Sequence, residues 1–169
     1  MSIKIGDRLP EATLTEMVET AREGCTIGTN SFQVGAITKG KRVVVFGLPG
    51  AFTPTCSAKH VPGYVAQFDA LKAKGVDEVW CVSVNDAFVM GAWGKDQRSD
   101  GKVRMMADGS GLFVKALGLE QDLTTKGMGL RSQRWSMLVE DGVVKALHVE
   151  APGKFEVSDA ASMLKALGR

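Results

Sequence analysis

Apolar positions along this chain fall into a few runs with distinct periods. Val43-Val44-Val45-Phe46-Gly47-Leu48 is continuous, as in a strand buried on both faces, which predicts a strand over 42–48. Glu78-Val79-Trp80-Cys81-Val82-Ser83-Val84 repeats the pattern over 78–84. Thr13 to Val18 alternates as a half-exposed strand would, and the stretch around Gly24, Gly28 and Gly35 reads as turns and short strands. Helical spacing over 55–74 predicts one long helix, kinked at Pro62-Gly63 and ended by Lys72-Ala73-Lys74-Gly75. Asn85-Asp86 caps a helix over 87–98. A short strand over Val103–Ala107 and a short helix over Gly111–Leu117 follow. Trp135–Glu140 and Val143–Val149 flank Asp141-Gly142, a hairpin turn signal, and an amphipathic helix over 159–168, capped by Ser158, closes the chain.

Strands alternating with helices imply an α/β fold, with helices on both faces of a central sheet. The terminal hairpin makes that sheet mixed. The order of elements matches the thioredoxin-like plan with an N-terminal extension. No repeat, low-complexity segment or linker divides the chain, so residues 1–169 read as a single thioredoxin-like domain.

Composition narrows the function classes. Hydrophobic residues make up 44% and charged residues 24%, and the net charge is +2. Lys and Arg are interleaved with Asp and Glu, which argues against nucleic acid as a partner. The apolar runs are too short to span a membrane, and Met-Ser-Ile-Lys-Ile-Gly-Asp has no signal core, so the expected location is cytoplasmic. The three cysteines, Cys25, Cys56 and Cys81, contain no Cys-x-x-Cys and no zinc spacing. Neither a metal nor an organic cofactor is expected.

The candidate chemistry sits in Pro49-Gly50-Ala51-Phe52-Thr53-Pro54-Thr55-Cys56. It offers a cysteine at the first turn of a helix, just beyond the C-terminal end of a buried strand. Unpaired N–H groups and the helix dipole favour the thiolate there, and the thiolate is the nucleophile. Thr53 adds a hydroxyl, and the prolines stiffen the loop. His60 lies four residues on, where it could serve as a base or, more in keeping with a thiolate that needs none, as a packed hydrogen-bonding residue. Spacing alone does not choose between Arg131 and Arg134 as a supporting charge.

Pro49-x-x-x-Thr53-x-x-Cys56 resembles the active-site signature of the peroxiredoxins, and the string from Pro49 to Tyr64 looks like the peroxiredoxin-5, type II or atypical, subfamily. Lys74 to Met90 and Gly129 to Met137 are two further matching blocks, and the resemblance covers nearly the whole chain. It implies a thiol peroxidase acting on hydrogen peroxide and alkyl hydroperoxides through a Cys56 sulfenic acid. Thr53 would hydrogen-bond the thiolate and the peroxide. Arg134 would stabilise the thiolate and the charge developing on the O–O bond, with Arg131 in support, and Pro49 would shield the sulfur.

Cys81 is either an inert core residue or a resolving cysteine, and both readings stay open. Ser158 occupies the place where other relatives carry their resolving cysteine near the C-terminus. Glutathione with glutaredoxin is the expected reductant, with thioredoxin the alternative. The family further implies a homodimer, for which Phe52, Phe88 and Trp93 are candidate interface residues. His148 reads as structural or solvent-facing, and the resemblance assigns no role to Cys25. A disulfide oxidoreductase lacks its second nearby sulfur here. A non-catalytic redox sensor or holdase would begin from the same sulfenic acid.

Overall fold

The computed structural model describes residues 1–20 and 26–168; Cys25 lies outside them. Seven strands form one mixed sheet: β1 (Thr13–Thr20), β2 (Thr26–Gln33), β3 (Arg42–Gly47), β4 (Glu78–Ser83), β5 (Val103–Ala107), β8 (Trp135–Glu140) and β9 (Val143–Val149). Their order across the sheet is β2-β1-β5-β4-β3-β8-β9. A separate two-stranded sheet pairs β6 (Glu120–Leu123) with β7 (Gly129–Ser132). β3 runs parallel to β4, and β4 to β5, whereas β8 is antiparallel to β3.

The continuous apolar runs become the central strands because both of their faces are covered. Val44 and Phe46 of β3 join Val79 and Cys81 of β4 in a core beneath α2 (Val61–Ala66), α3 (Phe68–Ala73), α4 (Ala87–Asp96) and α6 (Ala160–Leu167). Val43 and Val45 point the other way and pack with Trp80, Met137 and Phe113. That face is covered by α1 (Val34–Thr38), α5 (Leu112–Leu117) and the N-terminal residues Ile3 and Leu9. This is the thioredoxin-like arrangement the element order implied. Among the described residues no helix is long and apolar enough to cross a membrane.

The helix expected over 55–74 is three pieces. A π-helical turn, Cys56–His60, leads into α2, and Gln67 separates α2 from α3. Pro62 has no N–H to donate, and the N–H of Val61 reaches the Cys56 carbonyl five residues back. The irregularity therefore precedes the proline, and the break follows at Gln67. The stretch around Gly28 is not a set of short strands but one eight-residue edge strand, β2, fully paired with β1. The cap of α6 is not the expected Ser158 but Asp159, one residue on, whose carboxylate accepts from the Ser162 hydroxyl. Asp86 caps α4 as expected, accepting from the Val89 N–H at 2.9 Å. Asp141 and Gly142 turn the β8–β9 hairpin at φ 48° and 76°.

Candidate active site

The site lies at the C-terminal end of β3, where parallel strands commonly present ligands. Beyond Gly47 the chain is pinned to β4 and to the loop that follows it. The Leu48 N–H donates to the Val82 carbonyl at 3.3 Å, and the Ala51 N–H to Asn85 Oδ1 at 3.0 Å. The chain then turns through Phe52, held at φ 60°, a left-handed conformation costly for a bulky residue. Helical backbone begins at Pro54, the favoured residue for a first helical position. The Ser57 N–H makes the first helical bond, to the Thr53 carbonyl at 3.0 Å. The N–H groups of Thr55 and Cys56 precede it and have no helical acceptor.

Cys56 is fully buried, and its Sγ accepts from Arg134 Nη2 at 3.3 Å. Arg134, just before β8, also donates from Nη1 to His60 Nδ1 at 3.0 Å. A guanidinium only donates, so Nδ1 must be the bare nitrogen and Nε2 carries the hydrogen. His60 Nε2–H then donates to the Ser158 carbonyl at 3.1 Å, which also accepts from the Tyr64 hydroxyl at 2.9 Å. Burial, and then the Arg134 charge, lower the His60 pKa to about 3, so the ring is neutral. It is the packed, hydrogen-bonding His60, with no free lone pair for taking a proton. Its ring sits among Phe46, Tyr64 and Phe155 at centroid distances of 4.8, 5.7 and 5.0 Å.

The other predicted residues separate into two layers. The Thr53 hydroxyl donates to the Gly50 carbonyl at 2.7 Å, not to the sulfur, which leaves its lone pairs facing outward. Pro49, Thr53 and Arg134 line a cavity of about 750 Å³ together with Phe155 and the lysines Lys59 and Lys126. Arg131 does not touch the sulfur; its Nη1 donates to the Pro49 carbonyl at 3.3 Å and its Nε to the Met128 carbonyl at 2.9 Å. It packs so tightly under Gly50 that a Cβ there would stand 2.5 Å from Nη1. Arg131 therefore fixes the loop, and Arg134 faces the cysteine.

Cys81 is fully buried on β4, in the same core as Cys56 and in register with Phe46. Burial pushes its thiol well above the usual range, and Cys56 adds to the shift while Arg134 opposes it. Trp93, one of the expected interface aromatics, is instead entirely buried in α4, where its Nε1 donates to the Ser57 hydroxyl at 3.0 Å. Phe52 and Phe88 are exposed, 56% and 57%. His148, half-buried on β9, lies 3.4 Å from the Ser136 hydroxyl. Among the described residues no three His, Cys, Asp or Glu side chains come together to hold a metal ion.

Sequence reasoning missed Glu150, Phe155 and Tyr64. Phe155 lies under the Arg134 guanidinium at 5.7 Å, and nothing in its surroundings, Pro-Gly-Lys-Phe-Glu, sets it apart from a loop residue.

The Redoxin family model matches residues 4–164. Peroxiredoxin-2B of Arabidopsis thaliana is 47% identical over 165 residues, covering 98% of this chain and 98% of the relative. Among solved structures, reduced Prx3 from Vibrio vulnificus in complex with hydrogen peroxide matches at TM-score 0.90 and 51% identity, covering 98% of this chain and 99% of the other. Peroxiredoxin 5 from Alvinella pompejana matches at TM-score 0.83 and 32% identity, covering 98% of each chain. The chain belongs to the Redoxin family and, within it, to the peroxiredoxins of the peroxiredoxin-5 or type II kind, which are thiol peroxidases.

Proposed function

We propose that the chain reduces hydrogen peroxide and small organic hydroperoxides at Cys56. The observation that carries this reading is the Arg134 Nη2–Sγ contact of 3.3 Å, a fixed cation on a buried sulfur. The thiolate attacks one peroxide oxygen, the O–O bond breaks, the proton of the attacked oxygen passes to the departing one, and Cys56 is left as the sulfenate, which solvent protonates to the sulfenic acid, while water or an alcohol departs. Arg134 and the orphan N–H groups of Thr55 and Cys56 stabilise negative charge on sulfur and on the departing oxygen. Thr53, its hydrogen already given to Gly50, accepts from the O–H of the hydroperoxide and orients it. Pro49 closes the mouth, and Arg131 holds Pro49.

The regenerating thiol enters by the same mouth. It condenses with the sulfenic acid to a mixed disulfide and water, and a second thiol releases Cys56. Lys59 and Lys126 at this opening favour a reductant bearing carboxylates, while Lys154 is offset by Glu156 at 4.0 Å; this supports glutathione with glutaredoxin. Thioredoxin is the alternative. A fully buried, protonated Cys81 supports an external thiol over an internal disulfide. Exposed Phe52, Phe88 and Leu112 support a homodimer, to be tested by sedimentation. The need for a thiol pool favours a reducing compartment, and the cytoplasm is the location we propose, testable by fractionation.

The deciding experiment is one equivalent of hydrogen peroxide on the reduced protein, followed by intact and peptide-mapped mass spectrometry. Oxygen added at Cys56 with Cys81 free is the expected result. A Cys56–Cys81 linked peptide would establish a two-cysteine cycle, and an untouched Cys56 would overturn the site assignment.

A further inference from the structure

Beyond β9 the chain makes a strap, residues 151–158, that crosses the active-site mouth. It carries two groups onto the catalytic arginine's surroundings. The Ser158 carbonyl receives the His60 Nε2–H, and the Phe155 ring lies against both His60 and the Arg134 guanidinium. Little of the strap's own sequence holds it there. Ala151, Pro152, Gly153 and Lys154 are exposed, and within this stretch the Lys154 N–H bonds only back to the Ala151 carbonyl, at 3.0 Å.

What fastens the strap is one buried carboxylate at the end of β9. Glu150 Oε1 accepts from the N–H groups of Glu156, Val157 and Ser158, each at 2.8 Å, and from the Ser158 hydroxyl at 2.9 Å. Four donors converging on one oxygen form a nest of the kind that binds a free anion. Here the anion is supplied by the chain. The backbone closes the loop, since the Glu150 N–H donates to the Arg134 carbonyl at 3.0 Å. Among the described residues no ion pair joins Glu150 to Arg134, and the carboxylate does not touch the sulfur.

We propose that Glu150 is a positioning residue for the peroxidase reaction, acting on Cys56 through Ser158, His60 and Arg134 in turn. The order of contacts gives the physical reason. Glu150 sets the Ser158 peptide, and the Ser158 carbonyl fixes the His60 tautomer and ring plane. His60 Nδ1 then holds one arm of the guanidinium, so that the other arm aims at Sγ. The Ser158 hydroxyl gives its hydrogen to Glu150, and the cap position of α6 is Asp159. Burial works against the Glu150 charge, but hydrogen bonds from Val157, Ser158 and Glu156 outweigh it and hold the carboxyl below its usual range, so the nest is filled at neutral pH. Without the carboxylate, three backbone N–H groups lose their acceptor, and the strap, with Phe155 and the Ser158 carbonyl, is free to lift.

The inference rests on the assignment of Cys56 and Arg134 above, and a double-mutant cycle tests it separately. The second-order rate of Cys56 oxidation by hydrogen peroxide is measured for wild type, E150A, H60A and the double variant, beside urea unfolding and the pH profile of Cys56 alkylation. E150A is expected to slow oxidation about tenfold, as a small misplacement of a reacting group does, and to move the alkylation profile to higher pH. In the H60A background the same change is expected to cost less than about twofold, because its route is already cut. A folded E150A with wild-type rate and profile would overturn the proposal, and so would a loss that is undiminished in the H60A background. Should E150A not fold, the cycle is run with E150Q, which keeps an acceptor oxygen and loses the charge, with about threefold expected. A wild-type protein whose Cys56 does not react with peroxide would instead refute the site assignment itself.

Discussion

Replacing Arg134 separates the two contacts that its guanidinium makes from different nitrogens. Nη2 serves Sγ at 3.3 Å and Nη1 serves His60 Nδ1 at 3.0 Å. Hydrogen bonds to a charged partner contribute about 1.5–3 kcal/mol. At about 1.4 kcal/mol per decade of rate, loss of the sulfur contact in Arg134→Ala slows Cys56 oxidation about 10- to 150-fold. The second contact appears in another observable. His60 Nδ1 becomes an unsatisfied buried acceptor, which removes about 1–3 kcal/mol of stability in urea. Arg134→Lys keeps the charge but has no planar fork, so it serves one acceptor well and falls between wild type and alanine on both measures. Stopped-flow tryptophan fluorescence is the assay, since Trp93 is hydrogen-bonded to Ser57, the residue next to the reacting cysteine. A folded Arg134→Ala within about threefold of wild type would refute this reasoning. So would an Arg134→Lys indistinguishable from wild type in both rate and stability.

Three other outcomes follow from the geometry. His60 has a folded-state pKa of about 3 against 6.5 unfolded, so the unfolded chain binds its proton first; stability is full above pH 6.5 and falls as pH drops towards 3. Its share of that loss is about 1.4 kcal/mol per pH unit in urea titrations, and His60→Gln should flatten the slope. Cys81, buried and held protonated, should stay unalkylated by iodoacetamide at mildly alkaline pH in the folded protein and react fully in urea; peptide mapping that finds it modified in the native state would contradict its placement. Gly47→Ala puts a Cβ 2.3 Å from the Trp135 ring, both being buried, and should cost about 1–3 kcal/mol of stability by urea midpoint, with wild-type stability the contrary result.

The central strands and the candidate cysteine loop were legible because each is written in consecutive residues. Val43 to Leu48 is apolar without interruption, and Cys56 follows it within a loop whose prolines and threonine have local meanings. β2 was not legible, since Thr26–Gln33 shows no clean alternation and is held in place by its pairing with β1. The break at Gln67 was equally silent, because nothing local marks that residue as a stop. The proline that drew attention instead sits two residues beyond the π-helical turn. Arg134 and Arg131 were indistinguishable by spacing, and only the third dimension sends one to the sulfur and the other under Gly50. Ser158 looked like a cap because helix-starting serines usually are. Its diversion to Glu150 depends on a contact eight residues back, and the Ser158 carbonyl's partners depend on one 98 residues away. Hydrogen bonds of that range leave no periodic trace.

The direction of the hydrogen bonds around Cys56 has a consequence for proton traffic. Arg134 can only give, the single lone pair of His60 is occupied by Arg134, and Thr53 has committed its hydrogen to Gly50. None of these three neighbours can take up a proton and keep it. The hydroperoxide must therefore carry its own proton across to the oxygen that leaves, with the Thr53 oxygen beside its path. Water or alcohol then departs neutral, the sulfur keeps the negative charge, and the pocket is in the same protonation state after the reaction as before it. Such a site has no residue to reset between turnovers apart from the sulfur itself.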